Sequence, residues 1–242
     1  MRQRTGWKNW KSGLRSWPAI STKAVKSDFR KKGDKKMKKP FFSVIVTEHN
    51  SEKFMRKGLD SIVNQSFKDY ELLIVCDACT DNTVQIAKEY IRPDTTDTVF
   101  KVNYARAGLA RNKGLDYAFG KWVLWMDDDD WWLHEYAFQM IAERVGKAGE
   151  DIFAFGFIWK GVGCTYNSQQ KLYPAIWNKA WKRSFIGDTR FPDWRHSDDA
   201  GFARITHPYA KVEYWDMPLY YYNYMREGSL SWRIQQGEFD KK

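Results

Sequence analysis

The sequence predicts an α/β fold in which parallel strands form a sheet with helices on both faces. A buried-strand pattern, a polar loop and an amphipathic helix follow one another three times between residues 41 and 119, and a fourth strand pattern starts at residue 122. Parallel strands need crossover connections of this kind, and the crossovers place helices on the faces of the sheet. At 242 residues, the chain is long enough for one sizeable domain of this class.

Each predicted element follows from a local pattern. Apolar, β-branched runs predict strands at 41–46, 71–75, 98–102 and 122–126. Helix start signals and apolar stripes predict helices at 52–64, from residue 83 to about residue 90, and at 108–119. Ser51 is the expected N-cap of the first helix.

Four consecutive carboxylates, Asp127 to Asp130, lie between the fourth strand and Trp131-Trp132. Unpaired carboxylates repel one another, so this cluster indicates a bound cation. Oxygen ligands favour a hard ion, Mg²⁺ or Mn²⁺, and such ions commonly join one or two carboxylates to substrate phosphates. The alternative is a solvated acidic turn in which Asp130 caps a following helix.

Polar residues also follow the other predicted strands. In parallel sheets, ligands bind outside the carboxyl ends of the strands, near a topological switch point. The polar residues expected at this edge are Thr47, His49, Asn50, Asp77, Asp81 and Asp127 to Asp130. The sequence contains no Gly-x-Gly-x-x-Gly and no Walker lysine loop, which argues against dinucleotides and ATP. The carboxylates suit a metal ion and ribose hydroxyl groups instead.

The basic excess of the chain is confined to its first 39 residues. Residues 1–39 hold 14 Lys and Arg against two acids, whereas the remainder holds 26 basic and 28 acidic residues. In this tail Trp7, Trp10 and Trp17 recur at helical spacing among basic residues, which suits the surface of an anionic membrane. Three alternatives stay open: a disordered tail without function, contact with nucleic acid, or a dispensable extension before a start at Met37.

Three cysteines are too few, and odd in number, for a disulfide framework, so we expect a reducing compartment. Cys76-x-x-Cys79 is either a redox or metal half-site or a pair of ordinary reduced thiols, and no second pair completes a zinc site. No apolar run approaches the roughly 20 residues that span a bilayer, and no signal peptide is visible. We therefore expect a cytoplasmic protein that is soluble or peripheral on the cytoplasmic face of the membrane.

Residues 41–130 resemble the nucleotide-binding half of a family 2 glycosyltransferase of the GT-A fold. The segments that carry this resemblance are 42–47 with Asn50, 59–67, 71–83, 110–115 and 126–130. Segments of the second half resemble the acceptor side of the bacterial branch that builds surface polysaccharides, namely 176–184, 190–192, 197–202, 218–222 and 226–231. The resemblance covers about residues 40–232.

The resemblance divides the chain after the tail into a Rossmann-like nucleotide-sugar-binding half, 40–130, and a smaller mixed α/β acceptor half, 131–242. In the first half it implies that Thr47 and His49 line the base, that Asp77 hydrogen bonds to uracil or ribose, and that Arg111 lies near the nucleotide. Asn50 and Asp128 belong to the same nucleotide site.

Asp127 and Asp129 resemble the first and last acids of the DxD motif. The resemblance places Asp127 toward the ribose and the metal ion and Asp129 on the metal ion. Glu48 and Cys76 depart from the family pattern, so the base is left open between uracil and another base.

In the second half, Asp199 resembles the catalytic base, and Asp198 is the alternative because the usual Glu-Asp is Asp-Asp here. The same two acids would also suit the first turn of a helix. The residues that the resemblance assigns to acceptor binding are Trp177, Lys179, Trp181, Arg226 and Ser229. Arg226 and Ser229 lie in a C-terminal loop that would also reach the diphosphate.

The implied function is that of a metal-dependent, inverting hexosyl- or N-acetylhexosaminyltransferase. It would use Mn²⁺ or Mg²⁺ and a nucleotide-sugar donor, a UDP-sugar, and would glycosylate a hydroxyl group of a glycan or lipid-linked acceptor. Two alternatives stay open. One is transfer to a modified DNA base, with the basic tail holding the duplex through its phosphates. The other is a non-catalytic GT-A module docked on a membrane or on nucleic acid.

Overall fold

The structure is a computed structural model that describes residues 39–161 and 174–238. The predictions for the basic tail fall on residues 1–38 and therefore lie outside the described residues, as does Cys164. Within the described ranges, no helix has both the length and the apolar character needed to cross a bilayer.

The described residues form an eight-stranded sheet with helices on both faces. The strands are β1 (Phe42–Glu48), β2 (Tyr70–Asp77), β3 (Thr98–Val102), β4 (Trp122–Asp127), β5 (Trp131–Trp132), β6 (Ile152–Trp159), β7 (Lys179–Lys182) and β8 (Val212–Tyr222). The helices are α1 (Met55–Val63), α2 (Thr83–Glu89), α3 (Ala107–Asp116), α4 (Ala137–Ala142), α5 (Arg183–Ile186), α6 (Asp198–Thr206) and α7 (Leu230–Gln235), with a 3₁₀ turn at His207–Tyr209.

The sheet has the order β3-β2-β1-β4-β7-β6-β8-β5. The first four strands in this order are parallel, as the crossover pattern predicts. Beyond β4 the sheet becomes mixed, because β7 runs antiparallel to both β4 and β6. The carboxyl ends of β1, β2 and β4 therefore meet at one edge, with Thr47 directly beside Asp127.

Two apolar clusters hold the helices to the sheet. On one face Leu59 and Ile62 of α1 pack with the buried side chains of β1 and β2, and on the other face Leu115 of α3 and Phe202 of α6 pack around Trp125. Full burial of one such side chain contributes about 1.5–3 kcal/mol.

Two glycines let the helices approach the sheet closely. A Cβ on Gly114 of α3 would lie 2.5 Å from the Ile45 side chain, and one on Gly58 of α1 would lie 2.7 Å from the Asp130 carbonyl oxygen. These contacts fix the height of Arg111 on α3 above β1 and hold the acidic turn after β4 against α1.

A buried carboxylate fixes the start of β4. Glu71, 1% exposed, accepts hydrogen bonds from the Ser43 hydroxyl group at 2.6 Å and from the backbone N–H groups of Phe119 and Gly120 at 2.6 and 3.2 Å. Because these bonds draw residues 117–120 back onto the sheet, α3 ends at Asp116, earlier than the predicted residue 119.

The capping prediction for Ser51 is wrong, and the structure also rules out the alternative in which Asp130 caps a helix. Helix α1 begins at Met55 rather than at residue 52, because the Ser51 hydroxyl group donates to the buried Glu48 carboxylate and does not cap the helix. Asp130 caps no helix: it is 1% exposed and accepts from the Tyr220 hydroxyl group and the Asn223 N–H, each at 2.8 Å. The chain continues from Asp130 into β5, which pairs with β8.

Candidate active site

A cleft of about 570 Å³ opens at the carboxyl edge of the sheet. It is lined by residues of both halves of the chain, so the expected convergence at this edge is present. The predicted site residues that line it are Thr47, His49, Asp77, Arg111, Asp127, Asp128, Asp129, Trp177, Asp198, Asp199, Arg226 and Ser229.

Arg111 connects the two halves of the cleft. Its Nη2 atom lies 2.7 Å from Asp127 Oδ1 at the end of β4, and its Nη1 atom donates to the Asp198 carboxylate at the start of α6. Burial alone would lower the pKa of Arg111, but the charges of Asp198 and Asp127 outweigh burial and raise the pKa. The guanidinium therefore stays charged and holds one carboxylate from each half.

Helix α3 also positions the segment that precedes α6. The Asn112 side-chain amide donates to the Phe191 carbonyl oxygen at 2.9 Å and accepts from the Phe191 N–H at 2.8 Å. A Cβ on Gly108 would lie 3.0 Å from the Asp198 Cβ. Neighbouring positions on one turn of α3 thus position Arg111 and hold the segment that leads to Asp198.

The two acids of α6 have different surroundings. Asp198 is 3% exposed and its carboxylate is bound by Arg111. Asp199 is half-buried and accepts from the Ala200 N–H at 2.7 Å. Burial raises the pKa of Asp199, while the Arg111 charge opposes this shift and the Asp198 charge adds to it. Of the two, Asp199 has the carboxylate that faces the cleft without an arginine bound to it.

The acids after β4 lie close together beside Arg226. Arg226 Nε lies 2.7 Å from Asp129 Oδ2, and Arg226 Nη2 lies 3.9 Å from Asp128 Oδ1. Burial raises the pKa of Asp128 well above its ordinary value, and repulsion from Asp129 adds to the shift. Burial also raises the pKa of Asp129, although Arg226 opposes it. Such crowded carboxylates favour an additional cation.

These acids have the chemistry to hold a divalent ion whose remaining ligands would come from water and a phosphate. Among residues 39–161 and 174–238, no three His, Cys, Asp or Glu side chains converge as a preformed metal site. Mg²⁺ and Mn²⁺ sites in enzymes acting on phosphates often use one or two carboxylates and complete the shell with water and phosphate oxygens. Asp127 and Asp129 supply oxygens of this kind, and the Arg226 guanidinium is the positive charge that Asp129 binds in the structure.

Asp77 shapes one side of the cleft through its neighbours. Its carboxylate accepts from the backbone N–H groups of Tyr104, Ala105 and Arg106 at 2.6, 3.0 and 2.9 Å. His49 Nδ1 lies 2.7 Å from the Asp77 carbonyl oxygen, so Nδ1 is the ring nitrogen that donates in this hydrogen bond. Most of the acceptor capacity of Asp77 thus holds the 104–106 loop.

Three predicted site residues lie outside the cleft lining. Trp181 and Lys179 are 0% exposed, so their assignment to acceptor binding is wrong. Trp181 packs against Trp125, and Lys179 Nζ donates to the Ala175 carbonyl oxygen at 2.5 Å. Asn50 is exposed and accepts from the Thr80 N–H at 2.8 Å, so it stabilises a loop.

Trp177 lines the cleft but offers little surface. It is 3% exposed, and its ring stacks on Tyr220 with centroids 4.9 Å apart. Trp177 therefore presents no exposed flat face to a ligand. The ring of Tyr222 lies beside it, is half-buried and also lines the cleft.

The sequence interpretation missed several cleft residues, namely Glu48, Arg106, Arg195, Tyr222 and Arg233. Arg106 directly precedes α3, so the carboxyl-edge rule could have identified it. Arg195 lies close in sequence to Asp198. Arg233 lies on α7, and no sequence pattern marks its approach to the sheet edge.

Comparisons with known proteins agree with this architecture. The family model described as Glycosyl transferase family 2 matches residues 43–211. The glycosyltransferase GlyA of Streptococcus pneumoniae is 28% identical over 218 residues, 78% of this chain and 31% of GlyA. The poly(ribitol-phosphate) β-N-acetylglucosaminyltransferase TarS of Staphylococcus aureus is 37% identical over 93 residues, 37% of this chain and 16% of TarS. The chain spans less than two thirds of the length of the curated relatives it matches.

Solved structures share the fold. A structure of TarS residues 1–349 in complex with UDP-GlcNAc superposes with a TM-score of 0.70 at 25% identity, covering 78% of this chain and 59% of that one. The mannosyltransferase PcManGT from Pyrobaculum calidifontis, in complex with GDP-Man and Mn²⁺, has a TM-score of 0.64 at 19% identity and covers 90% of this chain and 67% of its own. The architecture is the GT-A fold that the sequence predicts.

Proposed function

Because the chain belongs to glycosyl transferase family 2, we propose that it transfers a hexosyl or N-acetylhexosaminyl group from a nucleotide sugar to a hydroxyl group of a glycan or lipid-linked acceptor. The observation that carries this proposal is the Arg111 bridge. By binding Asp127 and Asp198 at once, Arg111 brings the acids after β4 and the acids of α6 to one cleft.

The donor side of the proposal rests on β1, β2 and β4. Thr47 and His49 line the base subsite, and Asp77 fixes its wall by holding the 104–106 loop. TarS was solved with UDP-GlcNAc, which supports a UDP-sugar donor. PcManGT was solved with GDP-Man, which keeps a guanine nucleotide as the alternative.

Asp129 and Asp127 are the residues that would hold Mn²⁺ or Mg²⁺. Such an ion offsets the charge that develops on a leaving diphosphate. PcManGT was solved with Mn²⁺, which supports the ion. Arg226 is close enough to Asp129 to place a second positive charge beside the same diphosphate.

Asp199 is the proposed general base. Its carboxylate takes the proton of the acceptor hydroxyl group as that oxygen attacks the anomeric carbon, and the bond from that carbon to the diphosphate oxygen breaks. A single displacement of this kind inverts the anomeric configuration. Asp198 keeps a positioning role, because its carboxylate is bound by Arg111.

The C-terminal loop forms the remaining wall. Ser229 caps α7, accepting from the Trp232 N–H at 3.2 Å, and so orients the helix that carries Arg233 into the cleft. Arg226 lies over the Phe54 ring at 3.8 Å from its centroid, which steers the guanidinium toward Asp129. We propose that this loop contacts both the diphosphate and the acceptor.

A nucleotide-sugar panel tests the proposal. Release of nucleoside diphosphate is measured with and without Mn²⁺ for the parent, Asp129→Ala and Asp199→Asn, with Asp188→Asn as a control at an exposed acid outside the cleft. The parent and the control should release diphosphate only with the ion, and both cleft variants should lose activity. Metal-independent turnover, or full activity in both cleft variants, contradicts the proposal.

A further inference from the structure

The cleft contains several arginine side chains. Among the described residues, every Lys or Arg that lines it is an arginine, namely Arg106, Arg111, Arg195, Arg226 and Arg233. The planar guanidinium presents paired N–H groups that match two oxygens of a phosphate or carboxylate, whereas a lysine supplies only a point charge. The use of arginine throughout therefore indicates that the cleft binds oxyanions through directed hydrogen bonds.

Two of these arginines lie on the side of the acids after β4. Arg111 binds Asp127 and Asp198, and Arg226 Nε lies 2.7 Å from Asp129 Oδ2. They are therefore placed beside the proposed metal ion and the diphosphate of the donor. The remaining three arginines lie on other segments and call for a second oxyanion.

Arg195 and Arg106 lie near the start of α6, the helix that carries Asp199. Arg195 is exposed and precedes the proposed base by four residues. Arg106 Nε lies 3.5 Å from Asp193 Oδ1, which is too long for a strong hydrogen bond, and the two side chains are 36% and 51% exposed. Both guanidinium groups are therefore accessible to a ligand that enters on the side of the proposed base.

Arg233 already binds a carboxylate with both edges of its fork. It lies on α7, and its Nε and Nη2 atoms donate to the two oxygens of Glu238, with 2.6 Å from Nε to Oε2. Arginine binds phosphate in the same bidentate arrangement. The two side chains are 39% and 46% exposed, so an arriving oxyanion can replace the Glu238 carboxylate.

An exposed aromatic ring adjoins this charge. Trp194, directly before Arg195, is 44% exposed. Its ring lies on α6 at Gly201, where a Cβ would come within 2.7 Å of a ring carbon. The ring therefore offers a large, flat and mostly apolar surface beside Arg195, against which a sugar ring can pack.

We propose that the acceptor carries a phosphate group, which Arg195 and Arg233 bind at the exposed rim of the cleft. Glu238 occupies Arg233 until the acceptor displaces it, and Arg106 adds positive charge to the same rim. A phosphate has more oxygens and more charge than a carboxylate, so arginines from separate segments can share it. That the bound molecule is the acceptor rests on the proposed function, whereas phosphate binding by these arginines does not.

The test is calorimetry on the full chain saturated with UDP and Mg²⁺, so that the donor site is already filled. The probes are glucose 6-phosphate, glucose and glucuronate, which differ in the anionic group. We expect glucose 6-phosphate to bind at least about tenfold more tightly than glucose, and glucuronate to bind more weakly than the phosphate. Equal binding of glucose and glucose 6-phosphate, or tighter binding of glucuronate, overturns the proposal.

A fourth probe, geranyl diphosphate, distinguishes the two sources of such a phosphate. Tighter binding of geranyl diphosphate than of glucose 6-phosphate would assign the phosphate to a lipid-linked acceptor. The reverse order would assign it to a phosphorylated glycan. Either order supports the proposal, and a parent that binds neither probe overturns it.

Four variants connect the binding to the named residues. Arg195→Gln and Arg233→Gln should each weaken binding of the preferred phosphate probe by about tenfold. Glu238→Gln should strengthen it by about threefold, because the competing carboxylate is gone. Arg204→Gln, at an exposed position of α6 outside the cleft lining, should leave it unchanged.

Two results would contradict the role of these arginines. One is unchanged phosphate binding in both Arg195→Gln and Arg233→Gln. The other is a loss of UDP affinity in these variants without a loss of phosphate binding, since the arginines would then serve the donor. If the parent does not bind UDP, the proposed function fails. The same titrations without nucleotide then still decide whether Arg195 and Arg233 bind phosphate.

Discussion

Arg226 Nε lies 2.7 Å from Asp129 Oδ2, so an arginine binds the acid that we assign to the metal ion. The guanidinium and a divalent cation would share this carboxylate, which makes them competitors until a diphosphate binds. The arginine of the C-terminal loop thus couples that loop to the charge state of the acidic turn.

Substitution of Arg226 should separate ion binding from turnover. In Arg226→Gln we expect tighter binding of Mn²⁺ in the absence of nucleotide, because the competing cation is gone, and slower sugar transfer, because the diphosphate loses a positive charge. Calorimetry with Mn²⁺ and a transfer assay measure the two effects. Arg204→Gln, at an exposed position on α6, should change neither. Weaker Mn²⁺ binding in Arg226→Gln contradicts the competition.

The Arg111 bridge should be the most sensitive ion pair of the described residues. Removing one partner of a buried pair costs about 3–5 kcal/mol, because the other charge stays buried. We expect Arg111→Met to destabilise the fold by this amount, and Asp198→Asn to add little in the double variant. Urea unfolding of the two single variants and the double variant measures the coupling.

The exposed pair of Arg56 and Glu89, at 2.8 Å, is the control for this bridge. Arg56→Met should destabilise the fold far less than Arg111→Met, since surface pairs contribute little. Additive losses in the Arg111 and Asp198 variants would mean that the two residues do not act as one unit.

Glu48 should make the metal-free protein less stable as the pH rises. Its pKa is raised well above the ordinary value by burial and by Asp128, so the folded state binds a proton that the unfolded state has released. Where the unfolded chain is ionised and the folded one is not, stability falls with increasing pH. The stability gained from this proton is present at low pH and is lost as the pH rises through the raised pKa.

Glu48→Gln imitates the protonated carboxyl group. It should raise the free energy of unfolding at pH 8 by on the order of 1 kcal/mol and reduce the pH dependence between pH 5 and 8. Thermal unfolding in the presence of a chelator measures both. An unchanged pH dependence would show that Glu48 does not retain its proton in the folded protein.

The pH dependence of turnover should report Asp199. The charged groups around it are Arg111, Asp198, Asp127 and the buried Lys179, whose own pKa burial lowers to about 7. Burial raises the pKa of Asp199, so the base becomes protonated at a higher pH than an ordinary aspartate does. As the pH is lowered, turnover should therefore begin to fall above the usual pKa range of an aspartate. A pH–rate profile at saturating donor checks this, and a flat profile down to pH 4 contradicts the assignment.

The sequence predicted the sheet edge better than the surroundings of each site residue. The strand 98–102 has the predicted bounds, and the acids of β4 lie beside Thr47, because apolar periodicity and the carboxyl-edge rule depend on local pattern. Lys179 and Trp181 were assigned to the acceptor side, yet β7 lies inside the sheet between β4 and β6, so both side chains are buried. No local pattern reveals that a strand of four residues occupies a central position.

The sequence also did not predict which polar side chains bind each other. Asp130 binds Tyr220, 90 residues later, and Arg111 binds Asp198, 87 residues later. Such pairs depend on tertiary distances that residue type and spacing do not encode. Three of the four predicted acids, Asp127 to Asp129, line the cleft, while the partners of the individual acids could be identified only from the structure.

Asp199→Asn gives the most direct test of the central claim, because it separates donor binding from chemistry. With Mn²⁺ present, the variant should bind UDP within about twofold of the parent while its turnover falls by about 10²–10⁴-fold, the usual contribution of a general base. A variant that keeps the parent's turnover, with the same affinity for UDP, would contradict the assignment of Asp199 as the base that faces the acids of β4.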